Sequence, residues 1–178
     1  MTVEIQQPTI QTKRLSLTPF RSEDLKDIFD YASDEVLTRF LTWKAHRSLD
    51  DSRAFLRRVG EITSARAGDL CFVFAIRERE NGRVIGSIDF KNTNRFCGQI
   101  DYCLARPRWN QGLMAEATSA LRDWVFANVP GLIRLQSYCD PRNIGSRRVM
   151  EKIGMQYEGL LRKWIIVHGN PRTFWSTR

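Results

Sequence analysis

Hydrophobic positions along the first third of the chain predict one strand followed by two helices. The alternation of Leu15 and Leu17 predicts a strand over Thr12–Phe20. Ser22 is a candidate N-cap for a helix whose apolar residues recur at the spacing of one helical face. A capping box that begins at Ser48 predicts the second helix.

The middle of the chain changes to a strand-like period. It is rich in β-branched and aromatic residues, which predicts strands over Cys71–Glu78, Arg83–Phe90 and Gln99–Ala105. The dipeptide Asn81-Gly82 between the first two segments is a strong signal for a hairpin. These segments therefore predict at least three strands, two of them antiparallel neighbours.

The last part of the chain alternates helices and strands. The predicted elements are a helix over Leu113–Asn128, a strand over Ile133–Tyr138, a helix over Ile144–Lys152 closed by Gly154, and strands over Arg162–Val167 and Thr173–Ser176 around a turn at His168–Pro171. The order β-α-α-β-β-β-α-β-α-β-β, without a linker or repeat, predicts a single α+β domain over residues 1–178. Its sheet should be mixed, with helices on both faces.

Composition excludes several classes of protein. The chain has 178 residues, of which 42% are hydrophobic, so disorder does not describe it. Charged residues recur too often for a membrane-spanning helix, and Met1–Glu4 does not begin a secretory signal. Four cysteines without a C-x-x-C pair, and two separated histidines, argue against a metal site or a disulfide framework. A cytoplasmic protein is therefore expected.

Positive charge is concentrated in the second half of the chain. The net charge is +8 overall, but +1 over residues 1–103 and +7 over residues 104–178. A basic segment of this kind favours a polyanionic partner, which could be nucleic acid, a phosphate-rich cofactor or an acidic protein surface. No helix-turn-helix, zinc-finger or RNA-recognition signature supports the first of these.

The loop before the helix at Leu113 has the chemistry of an anion site. Gly112 opens this helix, whose first backbone N–H groups lack intrahelical partners and carry the positive end of the helix dipole. Glycine allows a phosphate to approach the backbone closely, and Arg106 and Arg108 lie nearby in sequence. The segment is neither a Walker P-loop nor a dinucleotide-binding fingerprint.

The string from Trp109 to Ala117, WNQGLMAEA, resembles the acetyl-CoA motif of the GNAT (Gcn5-related) N-acetyltransferase superfamily. It is most similar to the motif of the Rim-type ribosomal-protein acetyltransferases. Three further segments resemble the same branch, in the same order: Gln11–Arg21, Cys139–Ser146 and Met150–Gly159. The resemblance extends from about Pro8 to the C-terminus.

This resemblance implies a GNAT fold, a splayed pair of parallel strands and acetyl-CoA as cosubstrate. It places the pyrophosphate on the backbone of the loop and helix start, and the pantetheine arm along the preceding strand. Asn143 would bond a pantetheine amide, although it is equally an N-cap candidate. The implied cofactor-binding residues are Cys103, Leu104, Ala105, Trp109, Asn110, Gln111, Gly112, Leu113, Met114, Ala115, Asn143, Ser146 and Arg147.

Acetyl transfer also requires a proton donor for the thiolate and a neutral amine. Many GNAT enzymes carry a tyrosine four residues after the position of Ser146, where this chain has Met150. Ser146 is therefore the candidate acid or relay, or else an ordinary small helix residue. The candidate bases are Asp101 and Glu158, since no carboxylate lies at Lys163–Ile165 as in some Rim-type enzymes; either could instead be a solvated or paired carboxylate.

The resemblance therefore implies an acetyl-CoA-dependent N-acetyltransferase that acts by direct attack of an amine on the thioester. The acceptor is a protein N-terminus or a small amine, and Trp43, His46 and Trp164 are candidates for its pocket. Two alternatives remain open: a coenzyme A sensor without turnover, and a basic nucleic-acid-binding protein. A membrane partner is not expected, and a homodimer is left open.

Overall fold

A mixed β-sheet with helices on both faces dominates the computed structural model, which describes residues 5–66 and 69–178. Met1–Glu4, on which the prediction about a secretory signal depends, lies outside the described residues. Among the helices in the described ranges, none is long and apolar enough to cross a membrane.

The elements are close to those that the sequence predicts. The strands are β1 (Ile10–Gln11), β2 (Leu15–Pro19), β3 (Ser64–Arg66), β4 (Asp69–Glu78), β5 (Val84–Asn92), β6 (Cys97–Leu104), β7 (Arg134–Cys139), β8 (Tyr157–Val167) and β9 (Asn170–Thr177). The helices are α1 (Leu25–Ala32), α2 (Glu35–Thr38), α3 (Leu49–Ile62), α4 (Leu113–Asn128) and α5 (Ile144–Lys152), with 3-10 turns at Ser22–Asp24 and Arg106–Arg108.

The sheet has the strand order β1-β2-β4-β5-β6-β7-β9-β8, and β3 pairs with β4 outside this path. The pairs described are antiparallel except β6 with β7, which is parallel. Fully buried Phe72, Phe74 and Phe90 belong to the core on the face covered by α4 and α5. The opposite face packs against α1 through Ile28 and Tyr31, and against α3 through Phe55 and Leu56. The predicted mixed sheet and α+β class are confirmed.

Local hydrogen bonds explain where the structure departs from the predicted elements. The strand predicted over Thr12–Phe20 begins only at Leu15, as β2, and the separate strand β1 precedes it, because Thr12 bonds the Leu15 carbonyl through both its backbone and its hydroxyl. Helix α2 was not predicted, since four residues are too few to show a helical period; Asp34 caps it by accepting the Val36 N–H at 2.8 Å. The turn predicted over His168–Pro171 contains two residues with positive φ, as hairpin turns require.

Candidate active site

A cleft opens where the two parallel strands separate. Strands β6 and β7 pair where Cys97–Gln99 faces Arg134–Gln136, and farther along β7 pairs with β9 instead. Near the point of divergence, the Ser137 hydroxyl donates to the Ile100 carbonyl at 2.8 Å. The cleft has a volume of about 980 Å³. The predicted splay of the parallel pair is therefore confirmed.

One wall of the cleft is the free edge of β6. The Ala105 N–H donates to the Ile85 carbonyl at 2.7 Å, so Ala105 is directed toward β5. Alternate residues of a strand direct their backbone N–H and C=O groups to opposite sides. The backbone groups of Cys103 therefore also point to β5, and those of Tyr102 and Leu104 point to the cleft. The Leu104 carbonyl already accepts the Trp109 indole N–H at 2.6 Å. The backbone groups available to an extended ligand are thus those of Tyr102 and the Leu104 N–H.

The loop after β6 brings a helix N-terminus to the end of the cleft. Gly112 is the N-cap of α4 and has a φ of +75°, a conformation that favours glycine. Cleft-lining residues of the predicted set are Cys103, Leu104, Trp109, Asn110, Gly112, Leu113, Met114, Ala115, Asn143 and Ser146. Ala105, Gln111 and Arg147 are not among the lining residues. The segment forms an open cradle of backbone at the positive end of a helix.

The cationic side chains that lie close to Gly112 in space are not those that are close to it in sequence. Arg106 pairs with Asp34 at 2.7 Å, and Arg108 makes two hydrogen bonds to Glu78, at 2.7 and 3.1 Å. A Cβ placed on Gly112 would instead lie 3.7 Å from Arg14 Nη2 and 3.7 Å from Lys152 Nζ. The interpretation that Arg106 and Arg108 serve a bound anion directly is therefore corrected, because their charge is neutralised by acidic partners.

Helix α5 borders the other side of the cleft. The Asn143 side chain accepts the Ser146 N–H at 3.2 Å, so it is the N-cap of α5 and also lines the cleft. The Arg147 guanidinium lies 4.9 Å from the centre of the Trp175 ring, and its Nε is buried without a hydrogen-bond partner among the described residues. Asn143 thus has the N-cap role that its sequence position predicts.

The candidate acid Ser146 is hydrogen-bonded to a tyrosine that sequence reasoning did not single out. Tyr102 Oη lies 3.1 Å from Ser146 Oγ and also donates to the Ser146 carbonyl at 3.1 Å. Burial raises the pKa of Tyr102, although its bond to Ser146 opposes the effect, so the phenol stays protonated at neutral pH. Met150 is fully buried in the core. Two hydroxyls therefore lie together in the cleft.

The two candidate bases occupy different surroundings. Asp101 lines the cleft, where its Oδ2 accepts from Lys91 Nζ at 2.9 Å and from Gln99 Nε2 at 2.6 Å. Glu158 is not among the cleft-lining residues; it forms ion pairs with Arg134 and Arg178 on an exposed surface. The structure therefore brings Asp101 to the candidate site and leaves Glu158 outside it.

A second carboxylate, Asp89, lies directly opposite Asp101 on the neighbouring strand. Both line the cleft, and sequence reasoning missed Asp89 although it alternates with Ile88 and Phe90 as an outward-facing residue should. Burial and the adjacent Asp101 charge raise the pKa of Asp89, and the Lys91 ammonium opposes them. The other titratable groups near Asp89 are the thiols of Cys71 on β4 and Cys103 on β6.

This raised pKa makes stability depend on pH in a definite direction. The folded state holds the Asp89 proton more tightly than the unfolded chain does, so stability falls as pH rises from the ordinary pKa of 3.8 toward the raised value. We expect Asp89→Asn to have a melting temperature that increasingly exceeds that of the wild type as pH rises from about 4 to 8. Thermal melts across this range measure the difference; Asp123→Asn, at an exposed position of α4, is the control. A difference that shrinks with rising pH would contradict the expectation.

Aromatic residues line the same cleft as the two carboxylates. Phe40 and Trp43, from the segment after α2, line the cleft together with Trp164 of β8, as predicted for both tryptophans. His46 is not among the lining residues, contrary to expectation. It packs between Trp43 and Phe55, and burial lowers its pKa despite the opposing charge of Asp51. Within the described part of the chain, no group of three or more His, Cys, Asp or Glu could hold a metal ion.

Similarity to curated proteins covers most of the chain. Residues 14–156 match the family described as acetyltransferase (GNAT) domain. The uncharacterized N-acetyltransferase YnaD of Bacillus subtilis is 30% identical over 157 residues, which cover 88% of this chain and 87% of YnaD. The uncharacterized N-acetyltransferase p20 of Bacillus licheniformis is 27% identical over 158 residues, with 88% and 86% covered.

Solved structures show that the fold is shared. An acetyltransferase of the GNAT family from Bacillus anthracis has a TM-score of 0.83 at 24% identity, with 96% of each chain covered. Ribosomal-protein-S5-alanine acetyltransferase from Vibrio fischeri has a TM-score of 0.73 at 22% identity, with 96% of this chain and 95% of that chain covered. The Microcin C7 self-immunity acetyltransferase MccE, solved with acetyl-CoA and AMP, has a TM-score of 0.78 at 16% identity, with 93% and 92% covered.

Proposed function

Because the chain belongs to the acetyltransferase (GNAT) domain family, we propose that it transfers an acetyl group from acetyl-CoA to a primary amine by direct attack in a ternary complex. The observation that carries the proposal is the open backbone cradle at Gly112, which continues into the free edge of β6. The cradle suits a pyrophosphate, and the strand edge suits the two amide groups of pantetheine. MccE, which shares this fold, is seen with acetyl-CoA bound.

The same residues suggest how the coenzyme is held and how its thiolate is protonated. Backbone N–H groups from Asn110 to Ala115 bind the pyrophosphate, with Lys152 nearby as a cation. A backbone N–H of β6 polarises the thioester carbonyl, which stabilises the oxyanion. Ser146 passes a proton to the departing thiolate, and Tyr102 holds its hydroxyl in place.

The acceptor is either a protein N-terminus or a small amine, and the compartment proposed for the reaction is the cytoplasm. Support for the first acceptor is the fold shared with the ribosomal-protein acetyltransferase of Vibrio fischeri. Support for the compartment is that Cys71, Cys97, Cys103 and Cys139 are all free thiols.

A thiol-release assay with acetyl-CoA and a panel of polyamines and N-terminal peptides tests this proposal. Turnover of at least one amine is the expected result. Calorimetry with acetyl-CoA and with duplex DNA runs in parallel, because the basic half of the chain also suits nucleic acid. Tight DNA binding without a response to acetyl-CoA would overturn the proposal.

A coenzyme A sensor is the second candidate function. The observation that favours it is Met150, a fully buried thioether at the position where many members of the family carry a tyrosine proton donor. Binding of acetyl-CoA with silence across the whole amine panel would support the sensor and exclude the enzyme.

Replacing Ser146 by alanine should separate binding from chemistry. We expect kcat to fall by less than the roughly hundredfold that the loss of a general acid often causes, because the Tyr102 hydroxyl partly replaces it. Acetyl-CoA affinity should stay the same, since Ser146 contributes a hydroxyl and not a phosphate contact. Steady-state kinetics of Ser146→Ala, Tyr102→Phe and the double variant measure both quantities. Unchanged kcat in the double variant would exclude the proton role.

A further inference from the structure

The pairing of Asp89 with Asp101 is unusual for a structural position. The two residues are direct cross-strand partners in the antiparallel pair β5–β6. Like charges opposite each other on neighbouring strands destabilise a sheet. Two carboxylates opposite each other inside a cleft therefore lower the stability of the fold, and this loss calls for a functional explanation.

The two carboxylates are not equivalent. Asp101 is already satisfied by Lys91 and Gln99. The Asp89 carboxylate, in contrast, accepts no hydrogen bond from any residue in the described ranges 5–66 and 69–178. Asp89 is therefore a cleft-lining carboxylate whose oxygens are free to take a hydrogen bond and a proton from a ligand.

Other residues of the cleft suit a cation. Trp43 and Trp164 line it together with Asp89, and aromatic faces attract an ammonium group. A carboxylate and aromatic rings in one cleft have the chemistry that recognises a protonated amine. The cleft also reaches the free edge of β6, which in the proposed function holds the pantetheine arm.

We propose that Asp89 binds the ammonium group of the acceptor and takes its proton, while Lys91 and Asp101 stay paired with each other beside it. This assignment rests on the proposed function. One ammonium proton passes to the Asp89 carboxylate, and the freed lone pair forms a C–N bond to the thioester carbonyl carbon. The C–S bond then breaks with its electron pair, a second nitrogen proton reaches the thiolate, and Asp89 releases its proton to solvent. The products are the amide and the free thiol of coenzyme A.

The charge balance at Asp89 fits this role. With Asp101 paired to Lys91, Asp89 is the carboxylate of the two that has no ion-pair partner among the described residues. An ammonium beside Asp89 favours its ionised form and so opposes the effect of Asp101. The bound ammonium group thus keeps Asp89 ionised until Asp89 accepts one of its protons.

The test compares pH profiles of Asp89→Asn, Glu158→Gln and the wild type. Two probes are used: a peptide with a free α-amino group of pKa about 7.7–8.0, and an N-acetylated peptide with a lysine of pKa about 10.4. Asp89→Asn should lower kcat/KM at pH 7 by about a hundredfold. The loss should be larger for the lysine probe and should shrink as pH rises, because the amine then arrives neutral. Glu158→Gln, outside the cleft, should match the wild type.

Circular dichroism and acetyl-CoA affinity check that Asp89→Asn is folded. We expect it to be, because asparagine has nearly the same shape as aspartate. Identical pH profiles for Asp89→Asn and the wild type would overturn the assignment, as would a loss confined to Glu158→Gln.

A turnover-independent measurement distinguishes failure of this assignment from failure of the proposed function. If the wild type acetylates no amine, the proposed function fails. Calorimetry of spermidine binding to the coenzyme A complex then decides the role of Asp89. About tenfold weaker binding in Asp89→Asn, and unchanged binding in Glu158→Gln, support a cation site at Asp89. Equal binding in all three proteins contradicts it.

Discussion

Gly112→Ala is expected to weaken acetyl-CoA binding by a hundredfold or more while the protein stays folded. The alanine Cβ would lie 3.7 Å from Arg14 Nη2 and 3.7 Å from Lys152 Nζ, which is ordinary contact, so the protein alone has room for it. The methyl group would occupy the space through which a phosphate reaches the backbone N–H groups. Loss of two charge-assisted hydrogen bonds of about 1.5–3 kcal/mol each corresponds to this change in affinity.

Gly131→Ala is the matched control for Gly112→Ala. Gly131 has the same φ of +75°, and a Cβ placed there would lie 4.0 Å from the Arg95 carbonyl oxygen. Both variants should lose about 1 kcal/mol of stability, because alanine is strained at positive φ. Only Gly112→Ala should lose affinity for acetyl-CoA in calorimetry. Equal affinities in the two variants would show that the coenzyme does not use the cradle.

Gly86→Ala is expected to destabilise the protein more than any other single methyl addition considered above. A Cβ on Gly86 would lie 2.3 Å from the Cys103 carbonyl oxygen and 3.0 Å from the Leu104 Cα. Both are backbone atoms of β6, which cannot move away without breaking the pairing of Gly86 with Leu104. Overpacking of this kind costs about 1–3 kcal/mol, and contact with backbone places it near the upper end. The melting temperature should fall by roughly 6–10 °C.

The end of β6 is also a wall of the cleft, so Gly86→Ala should weaken acetyl-CoA binding as well as stability. Gly60→Ala is the control, since nothing lies within 4 Å of a Cβ at this exposed position of α3. That variant should be neutral or stabilised by roughly 0.5–1 kcal/mol, because alanine favours a helix. Thermal melts and calorimetry of both variants measure the two effects. A Gly86→Ala protein that melts like the wild type would mean that β5 and β6 can separate freely.

The order of elements could be predicted from the sequence because each depends on local pattern. The Asn81-Gly82 hairpin, the strand over Gln99–Ala105 and the glycine before Leu113 are all encoded within a few residues. The elements that were missed, β1, α2 and β3, are two, four and three residues long, which is too short to show a period.

Only part of the candidate site could be predicted from the sequence, because some of its residues become neighbours only in the folded sheet. Its cradle is one continuous segment, but the carboxylate pair exists only through the register of β5 against β6, which places Asp89 opposite Asp101. A shift of one residue would move Asp89 to the other face of the sheet. Sequence proximity also misled the interpretation of the arginines, since the acidic partners of Arg106 and Arg108 lie on α2's cap and on β4.

These same ion pairs have a consequence for the entropy of binding. Arg106 to Asp34, Arg108 to Glu78, and Glu116 to Arg14 join the segment around the cradle to three distant parts of the chain. A loop held at several points has few conformations left to lose when a flexible, highly charged molecule arrives. We therefore expect the arginines to favour coenzyme binding indirectly, by ordering the loop when the chain folds. Affinity for the coenzyme should accordingly depend on acids far from the cleft in sequence.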